Sequence, residues 1–309
     1  MTTNRYQGLF ITETILGNPN GSFVNNEPRN IDGKVFTTDK CIKFNIRDYI
    51  HNNYEDLEKL ENFVFFYPRK VPNSGLQPKY LTKEDVFKEY FDNDITKLYE
   101  CPDVRMFGGT FSFRKNDQGN VFGPVQLTFG LDLIGAEIKS IQMGTPFANE
   151  TGKQKTLGEK YIVDHAVIAY DININPQTAI KEDGTSLLKP EDVELFKEAI
   201  VYGTNDRVST SKTSKSKLLI MIKFADKYRR NIGELKGLIE VKSPKVNNAD
   251  GHEDLVLDFV KVSKKLKLVN SYIEEIEVVK DVNVVIENFD TETLGVAKDL
   301  LTMNIIGQE

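Results

Sequence analysis

The chain is poor in cysteine and has no long apolar run. Cys41 and Cys101 are the only cysteines among 309 residues, which argues against a disulfide framework and indicates a reducing, cytoplasmic setting. No apolar stretch is long enough to cross a bilayer, and the first residues, MTTNRYQG, lack the apolar segment of a signal peptide. We therefore expect a cytoplasmic protein with no membrane partner.

Sequence signatures of catalysis are also missing. His51, His165 and His252 are scattered and have no metal-ligand spacing with each other or with the cysteines. No serine or cysteine lies in a nucleophile-elbow pattern, and the chain has no phosphate-binding P-loop. We predict that the protein is not an enzyme and has no catalytic residue, no bound metal and no cofactor.

The charge is acidic overall but unevenly distributed. A net charge of -6 argues against a protein that is basic all over. It does not exclude a nucleic-acid partner, because binding depends on where the positive charge clusters. Acidic runs such as Glu274-Glu275 lie in the C-terminal third, and the basic stretches lie earlier. The length suits one large domain with insertions, or two small ones.

The stretch from Leu9 to Tyr49 predicts a strand, a polar loop and a helix. The apolar run at 9–16 is typical of a buried strand. Gly17-Asn18-Pro19-Asn20-Gly21 follows at once, with residues that end a strand and tolerate positive φ. Thr38 is a candidate N-cap for a helix over residues 38–52.

A basic stripe runs along this predicted helix. Lys40, Lys43 and Arg47 are spaced three and four residues apart, and the preceding loop exposes amide donors next to Arg29 and Lys34. A strand, an amide-rich loop and a basic helix stripe together suit a phosphate backbone. A solvated helix face after an ordinary long loop explains the same residues equally well.

Residues 104–131 predict two strands joined by a turn at 116–119. Along the first strand, Arg105, Phe107 and two later phenylalanines share one side, as in the RNA-stacking strand of the RRM fold. The second glycine, Gly109, shifts the later aromatics out of the spacing that the RRM pattern requires. We therefore favour a core face whose glycines admit another backbone.

Residues 135–165 predict a protruding hairpin whose tip is rich in glycine, threonine and lysine. Met143 and Phe147 are apolar residues near that tip, where a monomer gains little from them, and Lys153 and Lys155 lie close by. Taken alone, these residues slightly favour a surface loop with incidental apolar side chains.

A strand over 166–174, a helix over 190–202 and a buried strand over 218–224 follow. The polar loop at 203–217 carries Arg207 and three lysines against the single acid Asp206, and it is dense in hydroxyls. That combination suits phosphate contacts, although a flexible solvated loop has the same composition.

The C-terminal region predicts helix or strand at 255–268 and at 278–288, and a final helix over 292–301, with no site. The order of elements fits the α+β class, as a ferredoxin-like βαββαβ core with large insertions. Its elements are the strand at 8–16, the helix at 38–52, two strands within 104–131, the strand at 165–175, the helix at 190–202 and the strand at 217–225.

Several short motifs resemble one family in the same order along residues 8–230. They are Gly17-Asn-Pro-Asn-Gly21, Pro28-Arg29, Thr38-Asp39, Ile46-Arg47-Asp48-Tyr49, Arg105-x-Phe107-Gly108, Gly123-Pro124-Val125-Gln126, Gly203-Thr204-Asn205 and Ser211-Lys212. This set resembles the repeated backbone subunit of type I-B CRISPR Cascade, in the Cas-seven group of CRISPR-associated proteins (Csh-two/Csd-two-like). One departure is clear, because the family loop continues Gly-Asp-Pro where this chain has Gly21-Ser22-Phe23.

The resemblance implies an RNA-binding scaffold that polymerises along a CRISPR guide RNA and presents it for pairing with target DNA. Its partners would be the guide RNA, further copies of itself in a helical filament, other Cascade subunits and, through the guide, the target DNA strand. The fold implied is an RRM-like palm (1–52, 104–134 and 165–309), a fingers-type insertion (53–103) and a thumb hairpin (135–164) that reaches across the RNA to the neighbouring copy.

The candidate RNA-binding residues come from four regions of the chain. They are Asn18, Asn20, Arg29, Lys34, Lys40, Lys43 and Arg47, then Arg105, Gly108 and Gln126, then Met143, Phe147, Lys153 and Lys155, and finally Asn205, Arg207, Ser211 and Lys212.

Two alternatives remain at this point. Similar backbone subunits of type III systems use an aspartate in the N-terminal loop region to cut RNA, and Asp32 and Asp39 are the candidates for such a metal-dependent ribonuclease. Asp39 is also explained as an acid at a helix N-terminus. The second alternative is a protein-interaction domain without nucleic acid, which the negative net charge mildly supports.

Overall fold

A computed structural model describes residues 4–71, 79–113, 116–144, 157–181, 183–243, 254–289 and 295–306. In these ranges the α-helices are α1 (Asp39–Asn53), α2 (Lys83–Phe91), α3 (Ile95–Leu98), α4 (Pro102–Phe107), α5 (Pro190–Asp206) and α6 (Val260–Lys267). Short 3-10 helices lie at Pro176–Thr178, Lys236–Leu238 and Asn270–Tyr272. None of the helices in these ranges is long and apolar enough to cross a membrane.

The strands follow the chain in fifteen described segments. They are β1 (Tyr6–Gly17), β2 (Asn30–Ile31), β3 (Lys34–Thr37), β4 (Gly108–Phe113), β5 (Asn116–Phe122), β6 (Val125–Leu127), β7 (Gly130–Asp132), β8 (Ile138–Gly144), β9 (Leu157–Ile174), β10 (Lys215–Phe224), β11 (Glu240–Ser243), β12 (Leu255–Asp258), β13 (Ile273–Lys280), β14 (Val284–Glu287) and β15 (Gly295–Asp299).

Strand β1 lies at the centre of the main sheet. The strand order is β15-β13-β10-β1-β9-β7-β3-β2, with β6 and β8 also paired to β9. Both neighbours of β1 are antiparallel to it, so that Leu9 lies opposite Asp171 on β9 and Ile220 on β10. An apolar run such as that of β1 suits this place, because both of its faces are buried.

The two faces of the sheet are covered by different layers. Helices α1 and α5 pack on one face, where Phe10 meets Ile46 and Phe196 in a single buried cluster. On the other face, Leu9 and Ile11 pack with residues of β12, β14 and α6. Because side chains alternate along β1, this strand contributes residues to the cores on both faces of the sheet.

The predicted strand at 8–16 and helix at 38–52 are confirmed as β1 and α1. The predicted helix at 190–202 is also confirmed, but α5 continues to Asp206. Residues 203–206 are therefore helical rather than part of the polar loop. Gly203 allows α5 to approach α1 closely, since a Cβ at this position would lie 2.5 Å from the carbonyl oxygen of Asn45.

The predicted strand from Val104 is wrong in its first half, because residues 102–107 form α4. Pro102 suits the first helical turn, and Gly108, with φ +66, ends the helix in a conformation that favours glycine. The predicted turn at 116–119 lies within β5, which pairs with β4. The predicted strand at 123–130 is divided into β6 and β7, which both pair with β9.

The predicted final helix at 292–301 is also wrong. Within the described residues this segment forms β15, which adds parallel to β13 at the edge of the main sheet. Open main-chain groups at a sheet edge bind an extended segment more readily than a helix. The candidate at 255–268 contains β12 followed by α6, and that at 278–288 contains the end of β13 followed by β14.

The predicted hairpin at 135–165 is confirmed in its stem. Strand β8 pairs antiparallel with the first part of β9, and Met143 lies opposite Gly158. Strand β9 is 18 residues long, so one strand belongs both to this stem and to the central sheet. The candidate residues Phe147, Lys153 and Lys155 lie outside the described residues.

Replacing Gly203 tests the close contact of α1 and α5. We expect Gly203→Ala to lower the free energy of unfolding by about 1–3 kcal/mol, because its methyl group overpacks against the main chain of Asn45. The loss should appear even though alanine is favoured over glycine in helices by about 1 kcal/mol. Urea denaturation followed by circular dichroism measures it.

The matched control is Gly144→Ala on β8. Among the described residues, no heavy atom lies within 4 Å of a Cβ at Gly144, so this variant should unfold like the parent protein. Equal stability of the two variants would contradict the contact between the helices.

Candidate functional site

The loop after β1 folds back on itself and presents two apolar side chains. Gly21 and Pro28 form an antiparallel β-bridge, and Ser22 N donates to Glu27 O at 2.8 Å. These bonds make the turn narrow, with Phe23 and Val24 at its tip. Phe23 is 99% exposed and Val24 is 96% exposed.

Asn20 connects this loop to the start of α1. Thr38 occupies the N-cap position as predicted, but its side chain forms no capping hydrogen bond. Its hydroxyl and main-chain N–H both donate to Oδ1 of Asn20, at 3.1 and 3.0 Å. Asn20 therefore joins the loop to the helix that carries the basic stripe.

The polar segment after α5 meets the end of β1. Asn18 N donates to Ser211 O at 2.6 Å, and Lys212 Nζ donates to Asn18 O at 3.2 Å. Thr213 Oγ1 donates to Ile15 O at 3.0 Å, and it lies so close to Gly17 that a Cβ there would be only 1.9 Å away. Two segments separated by 194 residues thus form one site.

Between these segments lies an open groove of about 600 Å³. Cationic and aromatic side chains both line it. Its lining includes Arg29, Lys40, Arg207 and Lys212, together with Phe23, Phe44 and Phe129. Five of the predicted site residues, Asn20 and the four cations, therefore share one surface.

The groove cations lack acidic partners in the described part of the chain. There, no carboxylate lies within 4 Å of Arg29, Lys40, Arg207 or Lys212. Asp39, which also lines the groove, forms an ion pair with Lys43 at 3.0 Å. The groove is therefore positively charged although the whole chain carries -6.

Three of these cations, Arg29, Arg207 and Lys212, are partly buried. The Arg207 guanidinium lies 4.4 Å from the Phe44 ring centroid and donates to Asn45 Oδ1 at 3.1 Å. Burial lowers the pKa of Lys212 below its ordinary value, and the nearby Arg207 charge lowers it further. An anionic ligand would reverse that effect by compensating the charge.

Cys41 also lines the groove. Burial raises the pKa of its thiol, although the charges of Lys212, Arg207 and Arg29 oppose the rise. Its Sγ donates to Pro19 O at 3.7 Å. The thiol is therefore neutral at physiological pH and leaves the positive charge of the groove intact.

Arg47 of the predicted stripe joins α1 to α4. Its Nε donates to Asp103 at 3.1 Å, and its guanidinium lies over the Phe107 ring at 5.1 Å. Asp103 is fully buried and also accepts the main-chain N–H groups of Phe65 and Phe66. Lys43 pairs with Asp39, so Lys40 is the exposed member of the stripe.

Arg105 lies in the core rather than at the groove. Its Nε and Nη2 donate to the two carboxylate oxygens of Asp192 at 2.8 and 2.7 Å, and the residue is 6% exposed. Gly108 turns the chain between α4 and β4, and a Cβ there would lie 2.0 Å from Val121 O. The sequence pattern of this motif is therefore explained by packing.

The remaining predicted residues are dispersed. Asn205 accepts the N–H of Ser216 at 2.8 Å and so closes the end of α5. Gln126 is exposed and donates to Gly123 O at 2.7 Å. Lys34 is exposed on β3, outside the groove lining, and Met143 is 46% exposed on β8.

Both candidate catalytic aspartates have structural roles. Asp32 and Gly33 have φ values of +50 and +79 and form the two-residue turn between β2 and β3. Asp-Gly is typical of such turns. Asp39 lies in the first turn of α1 and pairs with Lys43. Among the described residues, no group of three or more His, Cys, Asp or Glu residues could hold a metal ion.

Sequence reasoning missed the aromatic part of the groove. Phe129 stacks on Phe36 at a centroid distance of 5.9 Å, and it reaches the groove from the strand connection after β6. Phe44 follows the basic stripe along α1 and lies under Arg207. A signal for Phe23 was present, because it stands at the departure from the family loop.

The fold is that of chains in CRISPR RNA-guided surveillance complexes. A chain from a structure titled "CRISPR RNA-guided surveillance complex, pre-nicking" matches with a TM-score of 0.50 and 12% identity, over 96% of both chains. A second, from a "CRISPR RNA-guided surveillance complex", has a TM-score of 0.50 and 12% identity, over 95% of this chain and 94% of the other.

The family described as CRISPR-associated protein Cas7 matches residues 4–260. The chain belongs to this family. No curated protein matches the chain. The resemblance of its short motifs to the Cas-seven group is therefore confirmed at the level of the family.

Replacing Arg47 separates a structural from a binding role. We expect Arg47→Ala to lower the free energy of unfolding by about 3 kcal/mol, since it leaves the buried Asp103 without its cation. The effect falls at the low end of the range for broken buried pairs, because Asp103 keeps two main-chain donors. Chemical denaturation measures the change.

Lys40→Ala is the control on the same helix. Lys40 is exposed, so its removal should change stability by less than about 0.5 kcal/mol. If Arg47→Ala were equally harmless, the ion pair of Arg47 with Asp103 would not stabilise the contact of α1 with α4.

Proposed function

We propose that the protein is the RNA-binding backbone subunit of a type I-B CRISPR Cascade complex. Copies of it would polymerise along the guide RNA and present it for pairing with target DNA, together with the other Cascade subunits. One observation carries the proposal: two segments that resemble the family meet in a groove with four cations and three aromatic rings. The scarcity of cysteine supports a reducing, cytoplasmic location for this complex.

The groove suits a single strand bound without regard to its sequence. Arg29, Lys40, Arg207 and Lys212 would neutralise phosphates along the strand. Such contacts position a nucleic acid but read no bases. The exposed rings offer π-faces that accept any base. Sequence is then read by the guide itself through base pairing.

The strand order supports a ferredoxin-like palm within this fold. Strands β10, β1 and β9 are adjacent and antiparallel, and α1 and α5 cover the same face. On this view residues 1–52, 104–134 and 165–309 form the palm, and residues 53–103 form the fingers insertion. Residues 135–164 form the thumb, which would bring Met143, Phe147, Lys153 and Lys155 to the RNA and the next copy.

We propose that this subunit does not cut RNA. Asp32 is accounted for by its turn and Asp39 by its ion pair with Lys43, so neither carboxylate requires a metal to explain it. The cationic groove also favours a nucleic-acid partner over a protein-interaction domain alone, because the described residues leave its charges without acidic partners.

Removing two groove charges tests the phosphate contacts. We expect the variant with Lys40→Gln and Lys212→Gln to bind single-stranded RNA of every sequence more weakly. The slope of log affinity against log salt should become shallower by about 1.4, which is about 0.7 for each lost contact. Filter binding at several salt concentrations measures the slope.

The matched control removes two exposed lysines from α6, with Lys261→Gln and Lys264→Gln. It makes the same change in net charge away from the groove, so the slope should stay that of the parent. An equal fall in both variants would indicate a diffuse charge effect rather than a site.

Polymerisation predicts a ladder on native gels. With scrambled single-stranded RNAs of stepwise increasing length, each fixed increment of RNA should add one copy of the protein. Added magnesium should leave the RNA intact. Absence of binding at low salt would contradict the proposal, and evenly spaced cuts that disappear in Asp39→Ala would assign a ribonuclease instead.

A further inference from the structure

The most exposed large apolar side chain at the groove is that of Phe23. It is 99% exposed, yet it belongs to the groove lining. It also stands where the chain departs from the Gly-Asp-Pro loop of the family that the sequence resembles. An exposed phenylalanine contributes little to the stability of the monomer. Phe23 differs from most other exposed apolar residues because it stands beside the groove cations, which have no acidic partners among the described residues.

The loop that carries Phe23 is well ordered by its own hydrogen bonds. Ser22 N donates to Glu27 O at 2.8 Å, and Ser22 Oγ donates to Asn25 Oδ1 at 2.7 Å. Asn25 Nδ2 donates to Glu27 Oε2 at 2.9 Å. The main chain of such a turn loses little freedom when Phe23 binds a ligand, which lowers the entropic cost of the contact.

Arg29 lies against one face of the Phe23 ring. Its Cζ is 5.2 Å from the ring centroid, within the range of a cation–π contact. The main chain of Arg29 is fixed on both sides, because its N–H donates to Asn20 O at 3.0 Å and its carbonyl accepts Phe36 N–H at 2.9 Å. The cation therefore lies near the ring at the base of the loop, and the ring stays open to a ligand because Phe23 is 99% exposed.

The surroundings of Arg29 favour a nucleic acid over an apolar protein surface. Its Nε is buried and has no hydrogen-bond partner among the described residues. An apolar partner would bury this cation further and supply no acceptor, which is costly. An RNA strand supplies phosphate or base oxygens beside its π-faces and so satisfies the ring and the cation together.

We propose that Phe23 is a stacking platform for one unpaired base of the RNA strand bound in the groove, with Arg29 beneath its ring. The inference rests on the proposed function, since it names how the same groove contacts bases in addition to phosphates. Stacking of this kind accepts every base, because each has a π-face. It adds affinity without adding sequence preference.

The absence of tryptophan from the chain makes a direct test simple. In Phe23→Trp the new side chain is the single tryptophan, and its fluorescence should be quenched when an oligouridine RNA binds. A short oligonucleotide of about eight nucleotides, within the usual site sizes of single-strand binders, restricts binding to about one copy. The same length of abasic ribose-phosphate strand should bind at low salt but leave the fluorescence unquenched.

Affinity provides the second readout. We expect Phe23→Ala and Phe23→Leu to bind the oligouridine about 5- to 150-fold more weakly, because leucine is apolar but cannot stack. Both variants should bind the abasic strand as the parent does, and the salt slope should not change, because no charge is removed. Val24→Ala is the matched control, since Val24 is 96% exposed on the same turn but outside the groove lining.

The possible results separate this inference from the proposed function. Failure of the parent protein to bind any RNA would overturn both. Normal binding by Phe23→Ala, with no quenching in Phe23→Trp, would overturn the stacking platform and leave the proposed function standing. A variant that binds the short RNA normally but no longer adds further copies on long RNA would place Phe23 against the neighbouring copy, which also overturns the platform.

Discussion

The candidate site depends on one junction of main chains. The N–H of Asn18, at the end of the central strand, donates to Ser211 O at 2.6 Å. Lys212 Nζ in turn donates to Asn18 O. Strand β1 is paired on both sides, so the junction has a rigid foundation. Without it the groove cations would lie on two independent loops, and each loop would lose conformational entropy separately on binding.

Charged residues have different roles in the core and at the groove. In the core, Asp103 and Asp192 pair with Arg47 and Arg105, so that these arginines join α1 to α4 and α4 to α5. At the groove, the described cations have no such partners, and they give a positive surface to a protein of net charge -6. Net charge therefore says little about this protein's partner, because the acids and bases serve in different places.

The local patterns of the sequence predict the elements that depend on them. Strand β1 and helix α1 were predictable because their apolar residues follow one period over a continuous stretch. The junction of the two loops was not predictable, although the sequence indicated both the loop after β1 and the polar segment after α5 as parts of a site. It depends on contacts between residues 194 positions apart, which no local period records.

Most of the wrong predictions trace to contacts that are distant in the sequence. Arg105 resembled a strand residue facing RNA, but its partner Asp192 lies 87 residues away and draws it into the core. Pro102 suits the first turn of α4, whereas the alternating aromatics after it are typical of a strand. Segment 295–299 forms a strand because β13 offers a free edge, and that edge exists only after the sheet has formed.

Strand β9 has a mechanical consequence. Its 18 residues run without interruption from the hairpin stem with β8 to the middle of the sheet, a length of roughly 55 Å at about 3.3 Å per residue. The register of its pairing with β1 therefore fixes how far the stem stands from the groove. A slip by one residue would turn every side chain to the opposite face, so the distance is held in discrete steps. If the stem contacts a neighbouring copy in an assembly, the spacing between copies would be set by the hydrogen-bond register within each copy.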